Sequence, residues 1–311
     1  MLITGASGFV GNALCLEAVS RGLTIRAASR SESTFPSAIE CVFVEGINGS
    51  TDWHDALTGC DVVAHLAARA HVMHDTTAEP FTEFRKVNVD GTLNLARQAA
   101  SAGVKRFVFI SSIGVNGAET FSTPFVTQDE PAPHSPYAVS KHEAELGLRA
   151  LALETGMEVV IIRPPIVYGP NAPGNFGSLI RWLSHGLPLP LGVVTQNRRS
   201  LVALANLVDL ILTCMQHPKA ANQTFLVSDG EDLSTTELLQ KIGKAMNRPV
   251  RLLPVPVSLL ACAARLLGKT AVAQSLLGSL QVDISKTCTL LDWKPPVSVD
   301  EGLRRAAQQG L

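Results

Sequence analysis

Tyr137 and Lys141 lie four residues apart in Ser-Pro-Tyr-Ala-Val-Ser-Lys, residues 135–141, in a chain with only two tyrosines. On a helix, positions i and i+4 share a face, so the ammonium would sit beside the phenol. A free tyrosine titrates near a pH of about 10, and a neighbouring cation favours the phenolate and lowers that value. The pair would then give and take a proton near neutral pH. The same spacing also fits an amphipathic helix with two polar residues, so its weight depends on its company.

The amino terminus supplies that company. Residues 1–11 read Met-Leu-Ile-Thr-Gly-Ala-Ser-Gly-Phe-Val-Gly, and a helical pattern follows through Ala13, Leu14, Leu16, Ala18 and Val19. Strand, glycine turn and helix come in the order a dinucleotide site requires. Gly5, Gly8 and Gly11 would let the backbone approach a pyrophosphate resting on the helix amino terminus, with Ser7, Phe9 and Val10 beside it. The spacing is Gly-x-x-Gly-x-x-Gly, not the commoner Gly-x-Gly-x-x-Gly, and the plain alternative is a glycine-rich turn. Almost nothing precedes Leu2, so the sequence is expected to begin close to, or inside, its natural first strand.

The end of the second strand speaks to the choice of cofactor. NAD enzymes usually place an acidic residue there for the ribose hydroxyls. Here Ser29 and Arg30 occupy the place, and no carboxylate follows until Glu32. A hydroxyl and a guanidinium suit a 2′-phosphate, which arginine binds through charge-assisted hydrogen bonds. The expectation is NADP(H), with NAD as the alternative; a solvated loop arginine is the plainer reading of Arg30.

Further stretches accompany these motifs: His65-Leu66-Ala67-Ala68, Asn88-Val89-Asp90-Gly91-Thr92, Phe109-Ile110-Ser111-Ser112, Arg163 to Pro170, and Asp283-Ile284-Ser285-Lys286 before Trp293. Together they resemble the short-chain dehydrogenase/reductase superfamily in its extended form, and within it the nucleotide-sugar epimerases, dehydratases and 4-keto-reductases typified by UDP-glucose 4-epimerase. The likeness runs over nearly the whole chain in the family's order.

The resemblance implies a role for each matching position. Aligned with the pattern Ser-Ser-x-x-Val-Tyr-Gly, Ser112 takes the catalytic place and holds the reacting sugar oxygen, leaving Ser111 as a strand-end cap. Asn116 stands where a tyrosine is common. Lys141 holds the nicotinamide ribose, and Ile47, Leu66, Ala67, Ala68 and Pro164 line the cofactor. Gly46 replaces an acidic residue often found at the adenine. Asn88 steadies the active-site helix or a water, with a helix amino cap as the plainer role. Asn175 contacts the nucleotide diphosphate, although asparagine after glycine is also a common turn residue. Arg199 grips the diphosphate and Arg198 shares the work or faces solvent. The second family arginine before Asp283 is missing; Asp283 and Lys286 are expected to cap the last helix.

Absences narrow the chemistry. In the family's 4,6-dehydratases an Asp-Glu pair follows the catalytic hydroxyl; here Ile113-Gly114 follows and carries no proton-transfer group. Ile113 likewise replaces the cysteine that GDP-fucose-synthase-like enzymes use for epimerisation. Hydride transfer at sugar carbon 4 remains. One reading is an NADPH-dependent reductase of a UDP-linked 4-keto-6-deoxy-hexosamine in bacterial surface-polysaccharide (lipopolysaccharide) synthesis, favoured by Ser29-Arg30 and by the stretches His65 to Met73 and Asn222 to Gly230. Its alternative is a UDP-hexose 4-epimerase with tightly held NAD. A catalytically silent NADP-binding regulator is a third, disfavoured because Ser112, Tyr137 and Lys141 are all retained.

Composition agrees. With 26 basic and 27 acidic residues the net charge is −1, which leaves no electrostatic footprint for nucleic acid. Six scattered cysteines form no Cys-x-x-Cys pair and read as reduced and mostly buried, with no disulfide frame and no metal site. The apolar stretch Val255 to Leu267 is too short for a membrane span and carries Arg265. A cytoplasmic protein without nucleic-acid or membrane partners is expected, acting on a small nucleotide sugar and forming a homodimer through helices near 90–103 and 137–155.

The elements that must position these residues alternate. Strand-like runs fall at 24–28, 41–44, 61–66, 105–111, 157–163 and 223–227, with helical patterns at 9–21, 83–103, 136–155, 176–185 and, after a short strand, within 201–216. Alternation of this kind implies an α/β fold, a Rossmann-like doubly wound parallel sheet. By the resemblance, residues 1–165 plus about 200–230 form the dinucleotide-binding unit. About 166–199 plus 231–311 form a smaller, discontinuous substrate-binding lobe.

Overall fold

The computed structural model describes residues 1–30, 35–70 and 80–308. Its strands are β1 (Leu2–Thr4), β2 (Arg26–Ser29), β3 (Glu40–Phe43), β4 (Val62–His65), β5 (Arg106–Ile110), β6 (Glu158–Arg163), β7 (Ile166–Tyr168), β8 (Leu201–Ala203) and β9 (Thr224–Leu226). Seven of them form one sheet in the order β3-β2-β1-β4-β5-β6-β9, and every pairing is parallel. The order reverses between β1 and β4, which opens a crevice beyond the carboxyl ends of those two strands. Ligands of open α/β sheets bind at such a switch point.

Neighbouring strand residues face opposite sides of a sheet, and here both sides are dry. Ile3, Ala27, Ala64, Val108, Val160 and Ile162 enter one core, with Leu14 of α1 (Phe9–Ser20) and Leu207 and Ile211 further along the chain. Leu2, Val63, Phe107, Phe109, Val159 and Ile161 enter the other, with Leu95, Ala99, Ala144 and Leu148. Burial on both faces explains why the strands read as continuous apolar runs.

The helix expected over 83–103 is interrupted. α2 (His54–Leu57) is a single turn; α3 (Pro80–Arg85) then passes into a π-helical turn, Lys86–Gly91, before α4 (Thr92–Ser101). The wide turn brings Gly91 hard against the loop after β3. A Cβ on Gly91 would lie 2.6 Å from Ile47 Cγ2 and 3.0 Å from the Ile47 carbonyl carbon. π turns of this kind occur mostly at functional sites.

α5 (Pro136–Thr155) follows its sequence signals at both ends. Ser135 caps it by accepting the Ala138 N–H, Pro136 opens the first turn, and Gly156 closes it in the left-handed region at φ 76°. The remaining helices are α6 (Gly174–Ser184), α7 (Leu204–Gln216), α8 (Thr235–Ala245), α9 (Val257–Leu266), α10 (Thr270–Leu277), α11 (Ser285–Leu291) and α12 (Val299–Gln308). α7 packs on α1, whereas β7 and β8 form a separate parallel pair. Tyr168, Phe176, Leu189, Leu201, Leu239, Ile242 and Leu303 build a third core around that pair.

Two local expectations need correcting. Asp283 accepts the Ser285 N–H at 2.7 Å, so it steadies α11 and not the last helix, which is α12; Lys286 lies over the Phe225 ring, 5.9 Å from its centre. Only Cys15, Cys60 and Cys214 are buried, while Cys41 and Cys262 are exposed because each sits on an outward face of an edge element. Among the described residues, no helix is long and apolar enough to cross a membrane.

Candidate active site

Because Tyr137, Lys141 and Glu145 fall at i, i+4 and i+8, one face of α5 carries all three toward the carboxyl end of β5. Lys141 is 1% exposed; its Nζ donates to the Ile110 carbonyl at 2.8 Å and lies 4.4 Å from the Phe109 ring centre and 5.9 Å from that of Tyr137. Burial pushes the Lys141 ammonium down to about 7, partly offset by the Glu145 carboxylate. Tyr137 is half-buried at the head of α5 and packs edge-on against Phe84. Burial pushes its phenol up to about 12. That corrects the expected direction: loss of water around both groups outweighs the lysine's field, since a lysine itself short of its charge stabilises little phenolate.

Ser112 caps the short 3₁₀ turn Ile113–Val115 that follows β5, accepting the Gly114 N–H at 3.1 Å. Gly114 sits between this hydroxyl and α5; an added Cβ would lie 3.3 Å from Ala138 Cβ and 3.4 Å from Ser112 Oγ. The serine turn and the first turn of α5 therefore lie against each other.

Ser111 is not a simple strand-end cap. It is buried, and its hydroxyl donates to Glu145 Oε1 at 2.5 Å. Glu145 also receives Arg163 through two hydrogen bonds, Nε to Oε1 at 2.9 Å and Nη2 to Oε2 at 2.5 Å, while Arg163 Nη1 donates to Asn116 Oδ1 at 2.8 Å. Asn116 Nδ2 donates in turn to the Val126 carbonyl. Asn116 thus ties this chain of bonds to a loop. A buried fork-on-carboxylate pair with its remaining lone pairs filled holds its members in one geometry.

Sequence reasoning missed Glu145 and Arg163. Both left a signal: Glu145 extends the four-residue spacing of Tyr137 and Lys141, and Arg163 is a lone charge ending the apolar run of β6.

The crevice at the switch point is lined by the glycine loop. Gly5 has φ 68°, and a Cβ there would lie 2.7 Å from the Ala67 nitrogen; one on Gly11 would lie 2.1 Å from the Gly5 carbonyl oxygen. Gly8 begins α1 with no side-chain cap, and Ser7 and Gly8 are exposed. An uncapped helix amino terminus behind a loop whose Gly5 and Gly11 leave no room for a side chain fits a dinucleotide diphosphate. Phe9, Val10, Leu66, Ala67 and Ala68 are half-buried around the same loop.

His65, at the end of β4, is fully buried, with Nδ1 2.7 Å from Thr4 Oγ1 and Nε2 2.9 Å from Thr92 Oγ1. Burial drives it down to about 3, so it is a neutral strut between β1, β4 and α4. Asn88 lies within the π turn, with helical residues on both sides and away from any amino cap. It accepts the Arg69 N–H at 2.8 Å and donates to the Arg69 carbonyl and to Ser140 Oγ of α5.

Ser29 is buried at the end of β2, Arg30 is exposed, Ile47 is half-buried, and Pro164 is buried with its carbonyl accepting the Ile113 N–H. Arg199 donates to the Gly278 carbonyl at 3.0 Å, and burial lowers it while Glu119 supports its charge. Arg198 is tied to Glu237 at 3.2 Å. Asn175 belongs to the first turn of α6, and its side chain lies outside the described residues, as do Glu32 and the stretch from His71 to Met73. A cavity of about 390 Å³ between α1, α7 and α12 contains none of the predicted site residues.

Among known proteins, residues 1–228 match the NAD dependent epimerase/dehydratase family. The chain is 50% identical to UDP-glucose 4-epimerase of Vibrio cholerae over 317 aligned residues, spanning 100% of this chain and 95% of that protein. It is 28% identical to N-acetyl-alpha-D-glucosaminyl-diphospho-ditrans,octacis-undecaprenol 4-epimerase of Escherichia coli O157:H7, over 99% of this chain and 94% of the relative. The structure of UDP-glucuronic acid 4-epimerase from Bacillus cereus in complex with NAD matches with a TM-score of 0.78 at 20% identity, over 99% of this chain and 97% of that one. That last match is a likeness of fold.

Proposed function

The chain belongs to the NAD dependent epimerase/dehydratase family, and on that premise we propose that it is a UDP-hexose 4-epimerase that retains its NAD through each turnover. The observation that carries the reading is 50% identity over the full length to a UDP-glucose 4-epimerase, in a chain that retains Ser112, Tyr137 and Lys141. Gly5, Ser7, Gly8, Phe9, Val10 and Gly11 would hold the dinucleotide diphosphate, with Ile47, Leu66, Ala67, Ala68, Asn88 and Pro164 around the rest of it. A bound nicotinamide would supply the acceptor and donor of hydride at sugar carbon 4.

The protein's own groups handle the proton and the substrate. Tyr137 takes the proton of the carbon-4 hydroxyl and returns it, a step worth about 10²–10⁴ in rate. Lys141, in its protonated form, would favour the phenolate, and Ser112, fixed by the Gly114 N–H, would orient the sugar oxygen. Ile113-Gly114 offers no group for removing water, so the reaction stops at inversion. Arg199 and Asn175 would meet the nucleotide diphosphate; Arg198, already paired with Glu237, would serve it less directly.

The substrate would lie between the unit of residues 1–165 plus about 200–230 and the smaller part, about 166–199 plus 231–311. A homodimer through α4 and α5 belongs to the same reading. Leu146 and Leu153, seven apart on α5, are 54% and 90% exposed, and sedimentation showing only monomer would count against it.

One observation favours a second reading. Ser29-Arg30 replaces the acidic residue expected for NAD, which suits NADPH and a reductase of a UDP-linked 4-keto-6-deoxy-hexosamine. Denaturing the purified protein and identifying the released dinucleotide separates the two. Stoichiometric NAD, with UDP-glucose and UDP-galactose interconverting without added coenzyme, is expected. An empty or NADP-loaded site that oxidises NADPH with keto sugars would overturn the epimerase.

A further inference from the structure

α9 is apolar on the side that faces water. Leu260 turns toward the third core, while Leu259, Cys262, Ala263 and Leu266, at i, i+3, i+4 and i+7, form a stripe on the exposed side, and no residue of the helix is buried. Leu259 is 60%, Leu266 83% and Leu267 72% exposed, and Leu253, Val257 and Val272 add to the same surface. Single exposed leucines are ordinary. Five large aliphatic side chains on one short helical hairpin, with Leu253 just before it, are a surface that expects a partner.

Charge says which partner. From Leu238 to Val282 the sequence contains no aspartate or glutamate but six cations, Lys241, Lys244, Arg248, Arg251, Arg265 and Lys269. Lys241 pairs with Glu231 and Asp300. Among the described residues the other five have no carboxylate within salt-bridge distance, and all five are exposed. A second copy of this chain, with net charge −1 and the same cationic face, would bring like charge to like at a two-fold contact. An aliphatic stripe edged by cations, in a stretch of sequence that carries no carboxylate of its own, instead matches a helix lying in the headgroup layer of a negatively charged bilayer.

We infer that the α9–α10 hairpin docks this protein on an anionic lipid surface. The apolar stretch around Val255 to Leu267 is too short to span a bilayer, as its sequence already says, and surface docking asks only for the exposed face. α9 has ten residues, and its leucines would reach the acyl boundary while Arg265 and Lys269 meet lipid phosphates. The hairpin is firmly joined to the candidate substrate site. Arg199 donates to the Gly278 carbonyl just after α10, and Thr235 Oγ1 and Asn197 Nδ2 donate to that of Leu276. Docking would therefore hold the arginine-bearing loop near the membrane surface without inserting it.

The test uses the purified full chain sedimented with vesicles of phosphatidylcholine alone and of phosphatidylcholine mixed with phosphatidylglycerol. Binding to the anionic vesicles, little to the neutral ones, and weakening with added salt are expected. Each basic residue near such a surface is worth about fivefold in binding, so Arg265→Glu with Lys269→Glu should weaken it at least about twentyfold. Leu266→Ser with Leu267→Ser should remove it as well, with both double variants keeping the parent's turnover of UDP-hexose in solution. Failure to bind anionic vesicles, equal binding to neutral ones, or retention by the leucine variant would overturn the inference. So would a dimer that the leucine variant converts to monomer, because the face would then be covered by a second copy.

Discussion

At the scale of single residues, the site is defined by two groups whose burial opposes their charge. Lys141 at about 7 and Tyr137 at about 12 leave the crevice nearly neutral at slightly alkaline pH, with the proton on the phenol. Lys141→Met removes the amine on that face of α5 whose protonated form favours the phenolate. Turnover should fall and the pH optimum move upward, because no ammonium can then form beside Tyr137. An unchanged pH profile would refute the role given to Lys141.

The same substitution has a signature in stability that a purely local role would not produce. The folded lysine titrates near 7 and the unfolded one near ~10.4. The burial cost is therefore full below pH 7 and is relieved as pH rises through that window, where only the unfolded chain keeps the proton. Parent stability should climb by about 2 kcal/mol between pH 7 and 9 relative to Lys141→Met, measured by urea unfolding. Equal slopes for the two proteins would contradict the buried-lysine account. Tyr137 and Lys141 stood out in the sequence by their types and spacing, and Ser112 by the family resemblance alone. Their protonation, and the Ser111–Glu145–Arg163 bonds behind them, were not legible there, since burial depends on residues far away in the chain.

At the scale of elements, strands and most helices followed the sequence because both faces of the sheet are covered and each strand became a plain apolar run. The π turn escaped notice. It brings Gly91 against Ile47, more than forty positions away in the sequence, a meeting that no periodicity contains. It matters because it places Asn88 where one amide reaches both Arg69 and Ser140, locking α5 to the loop after β4. The glycine loop was legible as a motif, and the structure adds which glycine is least replaceable. A Cβ on Gly11 would lie 2.1 Å from the Gly5 carbonyl oxygen, a backbone atom that cannot step aside. Gly11→Ala should abolish dinucleotide binding and lower stability by about 1–3 kcal/mol, read by dinucleotide content and thermal unfolding together. A variant that keeps a full complement of dinucleotide would show that the loop is looser than this contact implies.

At the scale of the molecule, the change of texture after Arg163 marked where the chain leaves the central sheet, but the bonds that join its parts lay beyond sequence reasoning. They converge on Asp229, just after β9. Its Oδ1 accepts the Ala203 N–H and the Asn206 amide, and its Oδ2 accepts the Tyr168 hydroxyl at 2.6 Å. Asn206 exchanges two further bonds with the backbone of Val297, and an added Cβ on Gly302 of α12 would lie 2.6 Å from the Tyr168 oxygen. One carboxylate therefore links the edge of the seven-stranded sheet to the β7–β8 pair and to the neighbourhood of α12. Asp229→Ala strands the Ala203 N–H and leaves the Tyr168 hydroxyl only its longer bond to the Val299 carbonyl at 3.4 Å, at about 1–3 kcal/mol for each group so deprived. Asp229→Asn keeps one oxygen for Ala203 and turns an N–H₂ toward Tyr168, whose hydroxyl can rotate to accept. The alanine variant should lose about 3 kcal/mol or more in urea unfolding and the asparagine variant clearly less. Equal losses would mean that charge, and not hydrogen bonding, holds the junction. Because α5 and the glycine loop lie on the sheet's side of this link, the alanine variant should also raise KM for the nucleotide sugar while leaving its dinucleotide content unchanged.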